Sequence, residues 1–220
     1  TYALHTLGED ETIARLATGI KRFKLPDEFN YIKIFQTIAA EPKTGMAQEA
    51  VNALAEVFEN RRQYPTAAQY WKESIDKFAD SNNWKKQRRD QIVSNWGTFE
   101  PIMTQPSGEG ATVDFRFRNS KKVKFTAHAI KVGELLDDVK NYLKSDPGQL
   151  QWEKIDISNI GYRLVTKNET KYIGEEVANW SLNLDPREKH FDRRITVSTP
   201  LQKAGAYLLT GSVEEGNVSK

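Results

Sequence analysis

Apolar positions in the first part of the chain recur with a helical period, as in Leu54 and Phe58 and then Ala67, Trp71, Ile75 and Phe78. From Val113 onward they alternate instead, as in Val113-Asp114-Phe115-Arg116-Phe117-Arg118 and Trp180-Ser181-Leu182-Asn183-Leu184. A period near 3.6 marks helices with one buried stripe, and a period of 2 marks strands with one buried face. The change falls between Trp96 and Val113, so two differently built parts are expected. These are a helical region over residues 1–97 and an antiparallel β-sandwich over residues 98–220.

In the first part the pattern predicts a short helix from Glu9 to Ile20, with Glu9, Asp10 and Glu11 suited to the positive end of its dipole. Pro26 ends it. A second helix, Asp27 to Ala40, carries Phe29, Ile32, Phe35 and Ile38 on one side, and Pro42 and Gly45 close it. A third runs from Gln48 to Asn60 and a fourth from Pro65 to Phe78, with Pro65 early in the helix where no amide partner is needed. Asp80, Ser81 and Asn82 offer caps for a fifth, Trp84 to Asn95, with Trp84, Ile92 and Trp96 inward.

Thr98 to Gly110, with Pro101, Pro106, Gly108 and Gly110, reads as a linker. Strands follow at Ala111–Arg118 and Lys122–Lys131, with Asn119-Ser120 between them as a hairpin signal. The segment Val132–Lys144 returns to helix, with Leu135, Leu136, Val139 and Leu143 on one face and Asp146-Pro147-Gly148 ending it. Further strands are expected near Trp152–Ile157, Tyr162–Val165, Lys171–Leu184, Arg193–Thr199 and Ala206–Val213. Val213 to Val218 reads as a hairpin whose second strand is cut, so an excised piece of a longer protein is expected.

Composition narrows the function more than the fold. Among the 220 residues Lys+Arg total 32 and Asp+Glu 30, a net charge of +2, which lacks the basic excess of a dedicated nucleic-acid binder. The local basic runs, Lys85-Lys86 with Arg88-Arg89 and Lys121-Lys122 with Lys124, read as solvated faces. With no cysteine, the chain carries no disulfide, thiolate metal site, cysteine nucleophile or internal thioester. No stretch approaches the roughly 18 apolar residues of a membrane-spanning helix.

Candidate chemistry is sparse. His5, His128 and His190 lack any metal-ligand spacing, although His190 and Asp192 would share one side of a strand. Gly108-Glu109-Gly110 lacks the following helix and lysine of a phosphate loop. The pairs Asp137-Asp138 and Glu175-Glu176 point to different faces rather than converging. Asn168, Asn179 and Asn217 fit the glycosylation pattern and read as chance matches. Trp71, Trp84, Trp96, Trp152 and Trp180 are expected to pack in cores. No enzyme, cofactor or metal is expected, and a hydrolase with scattered acids is disfavoured because nothing converges.

Leu54, Ala55, Phe58, Ala67 and Trp71 sit at the spacings of a tetratricopeptide repeat, which this helix pair resembles over about 34 residues. Ser74 and Ala79 depart from the pattern, standing where the repeat usually has alanine and proline. In such a pair the first helix lines a concave face, so the resemblance implies a partner-binding surface at Asn52, Glu56, Glu59 and Asn60 that would take a basic peptide. Further on, Phe191-Asp-Arg-Arg-Ile-Thr-Val-Ser-Thr-Pro-Leu-Gln-Lys-Ala-Gly-Ala-Tyr-Leu-Leu209 resembles an early domain of large bacterial alpha-2-macroglobulin-family proteins. Pro200, Gly205, Tyr207 and Leu208 carry the turn and strand, and Thr112–Lys131 with Leu135 and Leu136 resembles that domain's opening hairpin and helical excursion.

The resemblance implies an α+β multidomain fold, tetratricopeptide-like helical hairpins followed by an immunoglobulin-like or macroglobulin-like β-sandwich with a helical insertion. It further implies a non-enzymatic fragment of an extracytoplasmic protein (periplasmic, envelope-anchored or secreted) that entraps proteases, with proteases or envelope proteins as partners. The competing expectation is a tetratricopeptide adaptor whose sandwich binds a peptide or glycan.

Overall fold

The structure, a computed structural model, describes all residues except 1–2, 42–44, 103, 146–147 and 168. Pro42, Asp146, Pro147 and Asn168 therefore lie outside the described residues. The chain is a mixed α and β protein whose strands pair antiparallel, and it forms two compact units. One comprises Thr1–Ser94 with Arg187–Phe191, the other Asn95–Pro186 with Asp192–Lys220.

The first unit opens on a hairpin, β1 (Glu11–Leu16) and β2 (Gly19–Lys24), where the sequence predicts a helix. The expected helix ran through Gly19, but Gly19 adopts φ +110° and turns the chain so that Leu16 pairs Gly19 and Glu11 pairs Lys24. Glycine carries no Cβ penalty in that region, so it favours the turn over a helix interior. The buried Arg61 guanidinium fixes the base of the ribbon, donating to the carbonyls of Gly8 (2.9 Å) and Glu11 (2.7 Å) and to the Tyr31 hydroxyl.

Helix α1 spans Tyr31–Ala39 and starts four residues later than the apolar pattern suggests. Asn30, fully buried, caps it by accepting from the amides of Ile32 and Lys33 at 3.2 Å each, and Phe29 is left 66% exposed. Helices α2 (Ala47–Asn60) and α3 (Tyr64–Lys77) follow, with Pro65 in the first turn of α3. Leu54, Ala55, Phe58, Ala67 and Trp71 all lie in one buried cluster with Ile32 and Ile92. Helix α4 is Trp84–Val93, with the Asp80 carboxylate accepting from the amides of Lys85 and Lys86. Ile92 is buried, whereas Trp84 is 40% exposed and meets the Trp71 ring edge-on. Trp96, expected on this helix, belongs to a strand. Arg187–Phe191 completes the unit, with Phe191 edge-on to Tyr64 and His5.

The second unit contains seven strands among its described residues: β3 (Trp96–Phe99), β4 (Thr112–Arg118), β5 (Lys122–Ile130), β6 (Ile173–Asn183), β7 (Arg193–Ser198), β8 (Tyr207–Val213) and β9 (Val218–Ser219). They form two sheets, β3-β4-β7 and β6-β5-β8-β9. Inward residues alternate along both. Val113, Phe115, Phe117 and Val197 come from the first sheet, and they share one core with Val123, Phe125 and Val213 from the second and the adjoining Leu184. Rings of Phe99, Phe115 and Phe125 stack edge-on or tilted at 5.3–5.8 Å.

Asn119-Ser120 does not make a hairpin, because β4 and β5 pair with different neighbours in different sheets. Asn119 sits at φ +64° and carries the chain from one sheet to the other. Helix α5 spans Val132–Lys144, where the apolar stripe places it. The strands expected near Trp152–Ile157 and Tyr162–Val165 are instead short helices α6 (Trp152–Ile155) and α7 (Ile160–Val165). Short apolar runs do not distinguish the two periods. Leu164 of α7 packs with Leu135 and Tyr172, and Trp152 is 71% exposed rather than in a core.

Candidate interaction surfaces

The residues singled out for chemistry each have their own local setting. His5 stacks on Phe191, and His128 lies at an irregularity of β5 opposite Glu176 and Leu208. His190 occupies a left-handed turn at φ +61° rather than a strand, and the Asp192 carboxylate pairs with Arg118 at 2.7 Å and Arg116 at 3.8 Å. Among the described residues no three His, Asp or Glu side chains converge as a metal site would require. No described helix is long and apolar enough to cross a membrane.

One member of each acidic pair bonds within its unit. Asp138 accepts from Lys171 and from the Tyr172 hydroxyl (2.7 Å), which hold its carboxyl below the ordinary carboxylate range. Burial, followed by the Asp138 contact, pushes the Tyr172 phenol up. Nearby, Arg163 grips Glu169 with two hydrogen bonds of 2.7 and 2.8 Å and lowers the acid's pKa. Asn179 donates to Glu176 at 3.1 Å.

The four expected partner residues lie along one side of α2, at spacings of three to four residues, but only part of that face is open. Asn52 accepts from the Ser74 hydroxyl at 2.6 Å. Glu59 accepts from the Trp71 indole and pairs with Arg88 at 2.6 Å, so its charge is used within the unit. Glu56 and Asn60 are exposed.

A better-formed site lies in the second unit, in a groove of about 600 Å³. One wall is the segment after β3, with Ile102, Gln105 and Pro106; the other is the turn and strand from Leu201 to Leu209. The Gln105 side-chain amide is locked to the Thr112 backbone, donating to its carbonyl (2.6 Å) and accepting from its amide (2.8 Å). The opposite turn is held by Gly108 N donating to Gln202 O at 3.0 Å and by the Tyr207 hydroxyl donating to Lys203 O at 2.8 Å. The Pro200–Leu209 motif thus builds a groove wall. The sequence pattern marks its turn but not the groove, because the facing residues come from a segment read as a linker.

After β8, Asn217 makes two 2.8 Å hydrogen bonds to the backbone of Gly97, and Ser219 accepts from the Phe99 amide at 3.2 Å. The side chains of β9 and its turn thereby bridge the edge of β3, while β9's backbone pairs with β8.

No family model matches this sequence, and no curated protein matches it. Among solved structures the chain is similar to native alpha-2-macroglobulin from Escherichia coli in a crystal structure spanning domains MG0-NIE-MG1, at 12% identity and a TM-score of 0.32. The similarity covers 57% of this chain and 35% of that chain, so the chain spans about a third of the matched structure.

Proposed function

We propose that this chain is a non-enzymatic, protein-binding scaffold from an alpha-2-macroglobulin-like protein, contributing to protease entrapment outside the cytoplasm in the bacterial envelope. The observation that carries the reading is the Pro200–Leu209 motif, whose sequence resembles that family and whose backbone forms the turn and inward-facing strand of a two-sheet unit. Support comes also from the order of parts, a helical pair with tetratricopeptide-like spacings before strands interrupted by α5. The sheets would provide frame, as an immunoglobulin-like or macroglobulin-like sandwich does, and the exposed Glu56 and Asn60 would offer contacts to a basic partner.

A tetratricopeptide adaptor binding a peptide or glycan through its sandwich is the second reading, favoured by the groove beside Tyr207. On either reading the purified chain hydrolyses neither peptide nor glycoside substrates. Turnover that disappears with His190→Ala would overturn both. The macroglobulin-like reading further expects the natural reading frame containing residues 1–220 to encode many more two-sheet units, which a free-standing adaptor does not need.

A further inference from the structure

Strand β6 is an edge: it pairs with β5 on one side, and among the described residues no strand meets its other side. Chain continuing β9 does not reach that side, because β5 and β8 lie between β6 and β9. Leu184 N donates to Lys121 O at 2.7 Å, and Leu182 and Trp180 lie opposite Val123 and Phe125, so even-numbered positions from Ala178 to Leu184 bond toward β5. Antiparallel ladders alternate, which turns the amides and carbonyls of Asn179, Ser181 and Asn183 outward. Natural edges are blunted by charge, proline or bulges. Between Ala178 and Asn183 there is no charge and no proline, and the register with β5 is regular. Trp180 and Leu182 pack half-buried against the rim of the sandwich core, whereas Asn179, Ser181 and Asn183 are exposed on the outer face. The Trp180 indole N–H is buried with no acceptor among the described residues, a donor that native rims normally satisfy.

We infer that two copies of this chain associate through this edge, β6 pairing antiparallel with β6 of the second copy about a two-fold axis at Ser181. Unpaired edge groups are a template for strand addition, and a two-fold interface must complement itself. With Ser181 opposite Ser181 of the second copy, Asn179 lies opposite Asn183, and each such pair exchanges two backbone bonds. On the inner face Trp180 of each copy meets Leu182 of the other, which extends the apolar rim. On the outer face only hydroxyl and amide side chains meet. Other registers fit less well. Centring the pairing on Trp180 or Asn179 sets Glu176 against Leu184 or Leu182, and centring it on Leu182 shortens the ladder. Nothing in this pairing depends on the macroglobulin-like reading.

The test uses the 220-residue chain in sedimentation equilibrium and NMR amide exchange. The expected result is a reversible monomer–dimer equilibrium in which exchange at Asn179, Ser181 and Asn183 slows as concentration rises. Ser181→Pro removes an amide that points away from β5, so the ladder within the sheet survives. Dimer affinity then falls about tenfold or more, as loss of the central pair of bonds implies. Ser181→Lys and Ser181→Glu give a second reading that does not require proline to be accommodated. Each alone sets like charges opposite at the axis and stays monomeric, whereas an equal mixture forms the heterodimer, more weakly as salt rises. A chain monomeric at millimolar concentration, a dimer indifferent to Ser181→Pro, or a mixture that associates no better than either charged variant alone overturns the inference. So does protection of residues 179–183 that appears only when a peptide of alternating Thr and Val is added, which would make a foreign strand the occupant.

Discussion

Among the described residues Trp71 is the largest fully buried side chain, and its indole also donates to Glu59, so it fills space and satisfies a carboxylate at once. Trp71→Ala is expected to cost about 3–5 kcal/mol in urea melts, as for other buried aromatic truncations. Ala67, fully buried in the same cluster, leaves no room for a larger side chain, and Ala67→Leu should cost about 1–3 kcal/mol by overpacking. Neutral results for both would mean that α2 and α3 do not share this core. The Arg163–Glu169 pair gives a pH signature. Because Glu169 has a lowered pKa in the folded state, its contribution is present above the ordinary carboxylate value, near ~4.3, and is lost as pH falls through the lowered value. Wild type should therefore melt above Glu169→Gln at neutral pH, and the gap should close in acid. A gap that widens in acid would show that the pair is not formed as described.

At the scale of elements, the legible parts were those with a long stripe and clear punctuation. Helix α5 and the helices α2 and α3 repeat apolar residues over three or four turns, and Pro65 marks a start. Three misreadings have physical causes. The 11–24 ribbon places Ile13, Leu16 and Ile20 at helical spacing, but the exposure of Leu16 and Ile20 on a two-stranded ribbon removes the burial that gives such spacing its meaning. Residues 152–165 are too short for period to decide. Trp96–Phe99 was hidden because its partners in register are remote, Arg118 to Phe115. The groove was half legible: Pro200 and Tyr207 signal a turn and strand, but nothing local says that Ile102 and Gln105 face them. Gly97 tests the register directly. A Cβ there would fall 2.4 Å from Cζ of Phe115 and 2.9 Å from Val213. Gly97→Ala should destabilise the sheet unit by about 1–3 kcal/mol and perturb the Phe115 resonances. An unperturbed, equally stable variant would place β3 elsewhere.

For the whole molecule, the two units differ in what they offer a partner. The helical unit uses much of its charge on itself, as Glu59 with Arg88 and Arg61 with backbone carbonyls illustrate. The two-sheet unit carries a groove with apolar lining residues such as Ile102, Leu201 and Leu209. A scaffold that works by contact needs such surfaces and does not need an acid, base or nucleophile held within reach of a partner. The most direct test of the proposed scaffold role uses the natural protein that carries residues 1–220, mixed with an active protease and assayed against one large protein substrate and one short peptide substrate. Entrapment is a steric effect, so cleavage of the large substrate should fall steeply while cleavage of the short peptide persists. Equal loss of both cleavages, or loss of neither, would contradict the account.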